Sequence, residues 1–200
     1  MGAFRGKNAR LLTMIVAIAV IVVFAYITIS NKNEQKANEE AQKENITKVD
    51  KVVLKNLDEE YPASVHEVVK YYCNVLQCMF NGQVTEKQID QLIDKERMLF
   101  DKELLKVNEY SEFVEGRYSE IKQYKRKKIT MVKFIVDDND TVKYWQNNNA
   151  KMASIKAKIY MGGEHYSSFT QKYVLRKDKD DRWKILSWQN TDEKKDKKDK

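Results

Sequence analysis

The sequence predicts an α+β fold: an N-terminal transmembrane helix, then three helices packed on a curved, cone-like antiparallel sheet of about four strands. An uncharged apolar stretch runs from Leu11 to Ile29. Apolar residues then recur at helical spacing between residues 64 and 121, and from Ile129 their period changes to two. A run of helices followed by a run of strands is typical of α+β domains.

The N-terminal stretch LLTMIVAIAVIVVFAYITI contains 19 residues without a charge. At 1.5 Å per residue it is about 28 Å long, close to the roughly 30 Å hydrocarbon core of a bilayer. A cleaved signal peptide usually has a shorter apolar region, although Thr28-Ile29-Ser30 would fit a cleavage site. Length therefore favours a retained membrane anchor over a cleaved signal.

Basic residues set the predicted orientation of this span. Arg5, Lys7 and Arg10 precede it, so the positive-inside rule keeps the N-terminus in the cytoplasm and places the C-terminal domain outside. We therefore expect a single-pass plasma-membrane protein. Its predicted parts are a cytoplasmic tail (1–10), a transmembrane anchor (11–30), a polar stalk (31–55), an α+β domain (56–191) and a charged disordered tail (192–200).

Three helices are expected at the start of the α+β domain. Ser64 with Glu67, and Thr85 with Gln88, form capping boxes that predict the first two helix starts. The stripe of the second helix continues through Leu99, Phe100 and Leu104. A third helix carries Phe113, Val114, Tyr118 and Ile121 and ends in the basic run from Lys125 to Lys128, which suits the negative end of a helix dipole.

The strands follow from alternation. Val132, Phe134 and Val136 alternate with Met131, Lys133 and Ile135, and Val142, Tyr144 and Trp145 begin a second strand, which could be an edge strand. The clearest alternation is Ala153, Ile155, Ala157, Ile159 and Met161, which Gly162-Gly163 ends with a turn. Phe169, Tyr173 and Leu175 form the next strand. The stretch DDRWKILSW begins the last one, on which a two-residue period places Trp183 and Trp188 on opposite faces.

Composition limits the function classes. The net charge is +7, but the signs are mixed and no basic stripe with interleaved aromatics appears, so no nucleic-acid partner is predicted. Cys73 and Cys78 lie about 140° apart around a helix and are poorly placed to bridge each other. The chain contains no Cys/His ligand cluster, phosphate loop or nucleophile elbow, so no metal or cofactor is predicted.

The order of helices and strands, and the closing strand with Trp183-Lys184-Ile185, resembles the nuclear-transport-factor-2-like superfamily over roughly residues 60–191. Residues 56–82, together with the anchor, are similar to a family of small uncharacterised single-pass proteins of Gram-positive anaerobes. The matching residues of that segment are Tyr61, Pro62, Glu67, Val68, Val69 and Lys70. This resemblance implies a fold and a location, and it implies no activity.

Enzymes of the superfamily usually place an Asp or His in the cone as a general base. His66 is expected to be exposed in the first turn of a helix, and His165 follows a Gly-Gly turn, where a turn role is the ordinary interpretation. No Asp or Glu lies in an apolar strand stretch where burial would raise its pKa. The residues that could line a pocket or partner surface are Tyr72, Tyr118, Trp145, Tyr160, His165, Trp183 and Trp188, for most of which core packing is the alternative.

A membrane-anchored, extracytoplasmic, non-enzymatic interaction or scaffold domain is therefore predicted, with a protein or cell-surface component as its partner. Two alternatives stay open. The cone could hold a small ligand or an isomerase- or hydrolase-like site, or the chain could belong to a conjugation or secretion assembly.

Overall fold

The computed structural model describes residues 47–81 and 84–191. It confirms an α+β architecture with an antiparallel sheet. The helices are α1 (Lys48–Leu54), α2 (Val65–Phe80), α3 (Glu86–Met98), α4 (Lys102–Val107) and α5 (Tyr110–Arg126), with a 3-10 turn at Asn139–Thr141. The strands are β1 (Thr130–Val136), β2 (Lys143–Asn147), β3 (Ala150–Gly162), β4 (Ser167–Lys177) and β5 (Trp183–Thr191).

Both predicted capping boxes are confirmed. Ser64 accepts a hydrogen bond from the backbone of Glu67, and Thr85 accepts one from Gln88, with the reciprocal side-chain bonds also formed. Each box satisfies backbone N–H groups that the first helical turn leaves without a partner. The sequence therefore fixes the starts of α2 and α3 locally, before any tertiary packing.

Helix α1 occupies the last residues of the predicted stalk. Its Val52 is buried in the core, and the Tyr71 hydroxyl donates a hydrogen bond to the Val52 carbonyl over 2.7 Å. A capping box of Thr47 and Asp50 begins the helix. The core of the domain therefore includes a side chain N-terminal to residue 56.

The predicted three helices become five within the described residues, because α3 ends early and α1 was not expected. Residues 99–101 leave the helical path and run beside β5. The Asp101 amide donates to the Ile185 carbonyl, and the Ile185 amide donates to the Leu99 carbonyl, each over 2.8 Å. Asp101 then caps α4 by accepting from the backbone of Glu103. Leu99 and Phe100 are buried, as their place on the apolar stripe predicted. The prediction that they continue the helix was wrong, because the helix ends at Met98.

The sheet has five strands, each where the alternation predicts one, although the expected total was about four. The 13-residue strand β3 is long enough to pair with two strands along one edge, β1 on its C-terminal half and β2 on its N-terminal half. On its other side it pairs with β4, which pairs with β5, all antiparallel. The predicted alternation on β3 is confirmed, since Ala153, Ile155, Ala157, Ile159 and Met161 are all buried.

The alternation on β1 is interrupted. Met131 pairs with Met161 and Lys133 with Tyr160, so Val132 has no partner on β3 and forms a bulge. An extra residue reverses the side-chain phase. As a result Met131 is buried and Val132 is exposed. An uninterrupted period of two would instead place Val132 on the same side as Phe134 and Val136.

A second bulge overturns the prediction for the two tryptophans of β5. Ile185 pairs with Leu175 and Ser187 with Val174, which leaves Leu186 without a partner. The extra residue shifts the alternation of side chains by one position after Ile185. Trp188 therefore lies on the same, helix-facing side of the sheet as Trp183, and not on the opposite side. Both pack on the core, Trp183 as a buried member and Trp188 as a half-buried one.

The outer face of the sheet, opposite the helices, carries a group of lysines. Lys156 and Lys172 stand directly opposite each other on β3 and β4. The group also includes Lys133, Lys143 and Lys158, as the register of β1, β2 and β3 shows. None of these five lysines forms a salt bridge with another described residue.

Within residues 47–81 and 84–191, no helix combines the length and apolar character that a membrane span requires. The predicted span from Leu11 to Ile29 lies outside the described residues, as do the predicted stalk up to residue 46, Gly82 and the tail from residue 192.

Candidate functional site

A cavity with a volume of about 340 Å³ lies between the helices and the sheet, and it is named the main cavity for this position between the two layers. Helices α2 and α5 form one wall, and β1, β3, β4 and β5 form the other. Ligand sites in proteins are typically cavities of about 300–1,000 Å³ with mostly apolar walls and a few polar groups. The cavity is therefore large enough for a small organic molecule.

The charged group of the cavity is a linked set of three side chains. Arg117 on α5 binds Glu96 of α3 in a bidentate manner, with its Nε donating to Oε2 over 3.0 Å and its Nη2 donating to Oε1. Its Nη1 donates to Glu120 over 2.5 Å. The Glu96 side chain is 0% exposed, that of Arg117 12% and that of Glu120 39%. Glu96 thus lies behind Arg117, while Glu120 is the carboxylate that solvent reaches.

Burial dominates the electrostatics of this set. It raises the pKa of Glu96, and the ion pair with Arg117 opposes that rise. Burial is the largest single influence on Arg117 and works against its charge, but the attraction and hydrogen bond of Glu96, together with the contributions of Tyr72 and Glu120, outweigh it and raise the pKa of the guanidinium. Both partners are needed in a buried pair of this kind, because removal of one leaves the other as an uncompensated buried charge that destabilises the fold.

Aromatic side chains cover the floor of the cavity. Tyr72 of α2 contacts Trp188 of β5, with ring centroids 5.8 Å apart, and Tyr173 of β4 in an edge-on arrangement at 5.6 Å. Phe100 contacts both Tyr72 and Trp188 from behind. Burial raises the pKa of Tyr72 and of Tyr173 well above the usual range of tyrosine, so both remain neutral.

Two amide side chains add polar groups on the sheet side. Gln171 of β4 donates to Asn190 of β5 over 3.2 Å, and the Tyr173 hydroxyl donates to Gln171 over 2.7 Å. Behind them, the thiol of Cys73 lies 3.9 Å from the Tyr173 hydroxyl. Gln171 and Asn190 line the cavity, and Tyr173 fixes the orientation of Gln171.

A second recess of about 430 Å³ shares Arg117, Glu120 and Trp188 with the main cavity. Its other lining residues include Glu112 and Phe113 of α5. The Arg117 guanidinium stacks over the Phe113 ring at 5.1 Å, which holds it in position. The two recesses therefore meet at the Arg117–Glu120 pair.

Of the seven residues predicted for a pocket or partner surface, Tyr72 and Trp188 line the main cavity. Tyr118 instead donates to Asp90 over 2.8 Å and joins α5 to α3. Trp145 lies on the edge strand β2 with 40% of its surface exposed, and Tyr160 lies beside Lys158 on the outer face.

His165 and Trp183 are also outside the main cavity. His165 is exposed in the loop between β3 and β4. Trp183 packs against Tyr144 of β2, with ring centroids 5.7 Å apart. The expectation for His66 was wrong: it is half-buried, and its Nδ1 lies 2.9 Å from the Asp137 carbonyl, which ties α2 to the end of β1.

The polar residues of the candidate site were not predicted: Arg117, Glu120, Gln171 and Asn190 in the lining, and Glu96 behind it. For Glu96 and Arg117 the sequence does contain a signal. The search for buried acids considered only strands, whereas Glu96 lies on a helix. It continues the stripe of Ile89, Leu92 and Ile93 at the next inward position of α3. Arg117 stands one turn after Phe113 and one turn before Ile121, again on the inward stripe. Two opposite charges on the apolar stripes of neighbouring helices were the signal.

Among the described residues, no group of three or more His, Cys, Asp or Glu side chains is arranged to hold a metal ion. The polar side chains that line the cavity carry one guanidinium, one accessible carboxylate, two amides and the hydroxyls of Tyr72 and Tyr124. Such a set can orient a ligand through hydrogen bonds and charge.

A family model described as Domain of unknown function (DUF6715) matches residues 1–188. The matched range includes the predicted membrane span and nearly all of the cavity lining. No curated protein matches the chain.

Proposed function

The chain belongs to the domain family of unknown function DUF6715, and we propose that it is a non-enzymatic binding domain with its ligand site in the cavity between the helices and the sheet. The domain is held outside the cytoplasm by an N-terminal membrane span. The single observation that carries this proposal is the cavity of about 340 Å³ on which Arg117, Glu120, Gln171 and Asn190 converge.

The N-terminal sequence supports the location. The uncharged stretch from Leu11 to Ile29 has the length of a membrane span, and the basic residues before it favour an inside N-terminus. We also propose that the domain is nuclear-transport-factor-2-like. The order of helices followed by an antiparallel sheet agrees with that classification, and a cavity between the two layers is where the superfamily would bind a ligand.

Binding fits the lining better than catalysis does. The accessible carboxylate, Glu120, is engaged by Arg117, and the Tyr72 hydroxyl stays protonated because burial raises its pKa. His165, for which a turn role was the ordinary interpretation and a general base the alternative, lies in an exposed loop outside the cavity. A general base must reach the proton it removes, and neither histidine does so from its position.

The ligand site can be tested with the purified full chain and a set of small organic molecules of both charges. A ligand present at a hundred times its Kd should stabilise the folded state by about 2.7 kcal/mol, which raises Tm. It should also change the fluorescence of Trp188, which lines the cavity. Trp188→Phe should remove the fluorescence change, whereas Trp145→Phe, on the exposed edge strand, should keep it.

The proposal for the cavity would be wrong if no compound raised Tm, or if the two tryptophan variants gave the same signal. The location has a separate test. The full chain should stay in the membrane after alkaline extraction, and protease added outside intact cells should digest the domain. Extraction of the full chain by alkali would refute the span without affecting the cavity.

A further inference from the structure

We infer that the ligand of the cavity is an organic cation, an amine or quaternary ammonium with an apolar body. This inference rests on the proposed ligand site and names the chemical class that the site accepts. It follows from the charge count of the lining, from the engagement of Arg117 and from the aromatic walls.

The two charged side chains of the lining, Arg117 and Glu120, cancel, and the local charge becomes −1 when Glu96 behind Arg117 is included, although the whole chain carries +7. Arg117 and Glu120 are the charged side chains of the lining, and Glu96 lies directly behind Arg117. The charge of Arg117 is matched by the fully buried Glu96. Glu120 therefore contributes a negative charge that no second cation among the lining residues balances.

Arg117 is already engaged and is a poor site for an anion. Three of its N–H groups donate to carboxylate oxygens of Glu96 and Glu120, and one face of the guanidinium lies on the Phe113 ring. An anionic ligand would have to compete with two carboxylates that are already in place. A cation meets the opposite situation, since Glu120 keeps a second oxygen and lone pairs free for it.

Aromatic rings supply the remaining walls. Five of them line the cavity, from the two helices α2 and α5 and the two strands β4 and β5: Tyr72, Phe80, Tyr124, Phe169 and Trp188. The faces of such rings carry negative potential and attract ammonium groups, and cages of this kind recognise quaternary ammonium ligands. Met131, Met161 and Ile159 add apolar surface for the body of the ligand.

The second recess has the same preference. It adds Glu112 to the shared Arg117, Glu120 and Trp188, and it contains no further cationic side chain. Glu112 and Glu120 therefore present two carboxylates to a cation in this recess, against the single guanidinium of Arg117. Both recesses thus favour positive charge at the point where they meet.

The test titrates the full chain with three probes of matching shape: choline, its uncharged carbon isostere neohexyl alcohol, and the anion tert-butylacetate. Trp188 fluorescence reports binding. Choline should bind about tenfold more tightly than the alcohol, a difference of about 1.4 kcal/mol, and the anion should bind most weakly.

Two variants of α5 separate a local effect from a general charge effect. Glu120→Gln should weaken choline binding by about tenfold, to the level of the alcohol, and should leave the alcohol unchanged. Glu115→Gln is the matched control, because Glu115 is exposed on the same helix and does not line the cavity. It should leave the binding of all three probes unchanged.

Equal or tighter binding of the alcohol or the anion in the unmodified chain would overturn the inference and leave the proposed ligand site standing. So would a set of other compounds in which neutral or anionic molecules give the Trp188 signal as well as amines do. If no compound of any charge gives that signal, the proposed ligand site falls as well, and the inference falls with it.

Discussion

The two faces of one sheet carry opposite chemistry. On the helix-facing side, charged groups are few and each is held by a partner, as Glu96 and Arg117 hold each other. On the outer face, Lys156 and Lys172 stand opposite each other without an ion pair among the described residues. Neighbouring residues of the same strand therefore belong to different environments. Removing a charge on the helix-facing side should change the free energy of unfolding by several kcal/mol. A charge change on the outer face should alter it by only tenths of a kcal/mol.

The largest effect should come from breaking the buried pair. Arg117→Met leaves the Glu96 carboxylate buried without a partner, so the free energy of unfolding should fall by about 3–5 kcal/mol in urea titrations. Lys122→Met, an exposed change on the same helix, should cost less than about 0.5 kcal/mol. Adding Glu96→Met to Arg117→Met should recover much of the loss. Equal costs for Arg117→Met and Lys122→Met would remove the distinction between the two faces.

Deleting Leu186 should turn the inward side chains of one part of β5 to the outer face of the sheet. Without the bulge, either Trp183 and Ile185 or Trp188 must turn outward, because the phase can suit only one part of β5. The expected loss of stability is about 3 kcal/mol or more, similar to removing a buried aromatic. Iodide quenching of tryptophan fluorescence should rise at the same time. Leu186→Ala keeps the bulge and should leave the quenching unchanged; a deletion without increased quenching would contradict the assigned register.

Alkaline pH should weaken the helix-facing side through Cys73. Burial raises its pKa to about 12 from the ordinary 9.0, so the folded protein keeps a proton that the unfolded chain loses. The contribution is complete below pH 9 and is lost as pH rises from 9 towards about 12. The slope is about 1.4 kcal/mol per pH unit.

Cys73→Ala should reduce this slope in urea titrations between pH 9 and pH 10.5, a range that lies inside the titration interval of Cys73, and should leave the smaller share of Cys78, whose pKa burial also raises. Ser168→Ala, on the outer face, adds and removes no titrating group and should leave the slope unchanged. An unchanged slope in Cys73→Ala would show that the thiol already titrates normally in the folded protein.

The smallest effect should come from the outer face and should have the opposite sign. Lys172→Glu replaces a like-charge pair with Lys156 by an attractive one, so stability should rise by about 0.2–1 kcal/mol. The gain should shrink in high salt, because both side chains reach solvent. Lys172→Gln should give about half the effect. A loss of stability in Lys172→Glu would mean that the outer-face lysines have a role in folding.

Much of the fold could be predicted because its signals are local. Ser64 and Thr85 mark helix starts through bonds to residues three positions away, and the alternation on β3 separates its buried from its exposed side. The relation between Trp183 and Trp188 could not be predicted. It depends on one unpaired residue, Leu186, whose position is set by pairing with β4.

The candidate site was predicted only in its aromatic part. Tyr72 and Trp188 stood out by type, whereas Glu96 and Arg117 each look like ordinary surface residues of a charged helix. Their burial is tolerated only because the other charge lies within hydrogen-bond distance, and that distance spans two helices. A search for opposite charges on the apolar stripes of separate helices would have found them.

The segment of residues 99–101 has a consequence for self-association. It occupies both the amide and the carbonyl of Ile185, on the edge of β5 that no other strand of the described residues covers. Exposed strand edges are templates on which further chains can add, which leads to aggregation. A second copy would first have to displace this segment, together with the Asp101–Arg176 ion pair that anchors it. The domain therefore protects this edge with its own backbone, and this protection should be lost before the core unfolds if the ion pair is removed.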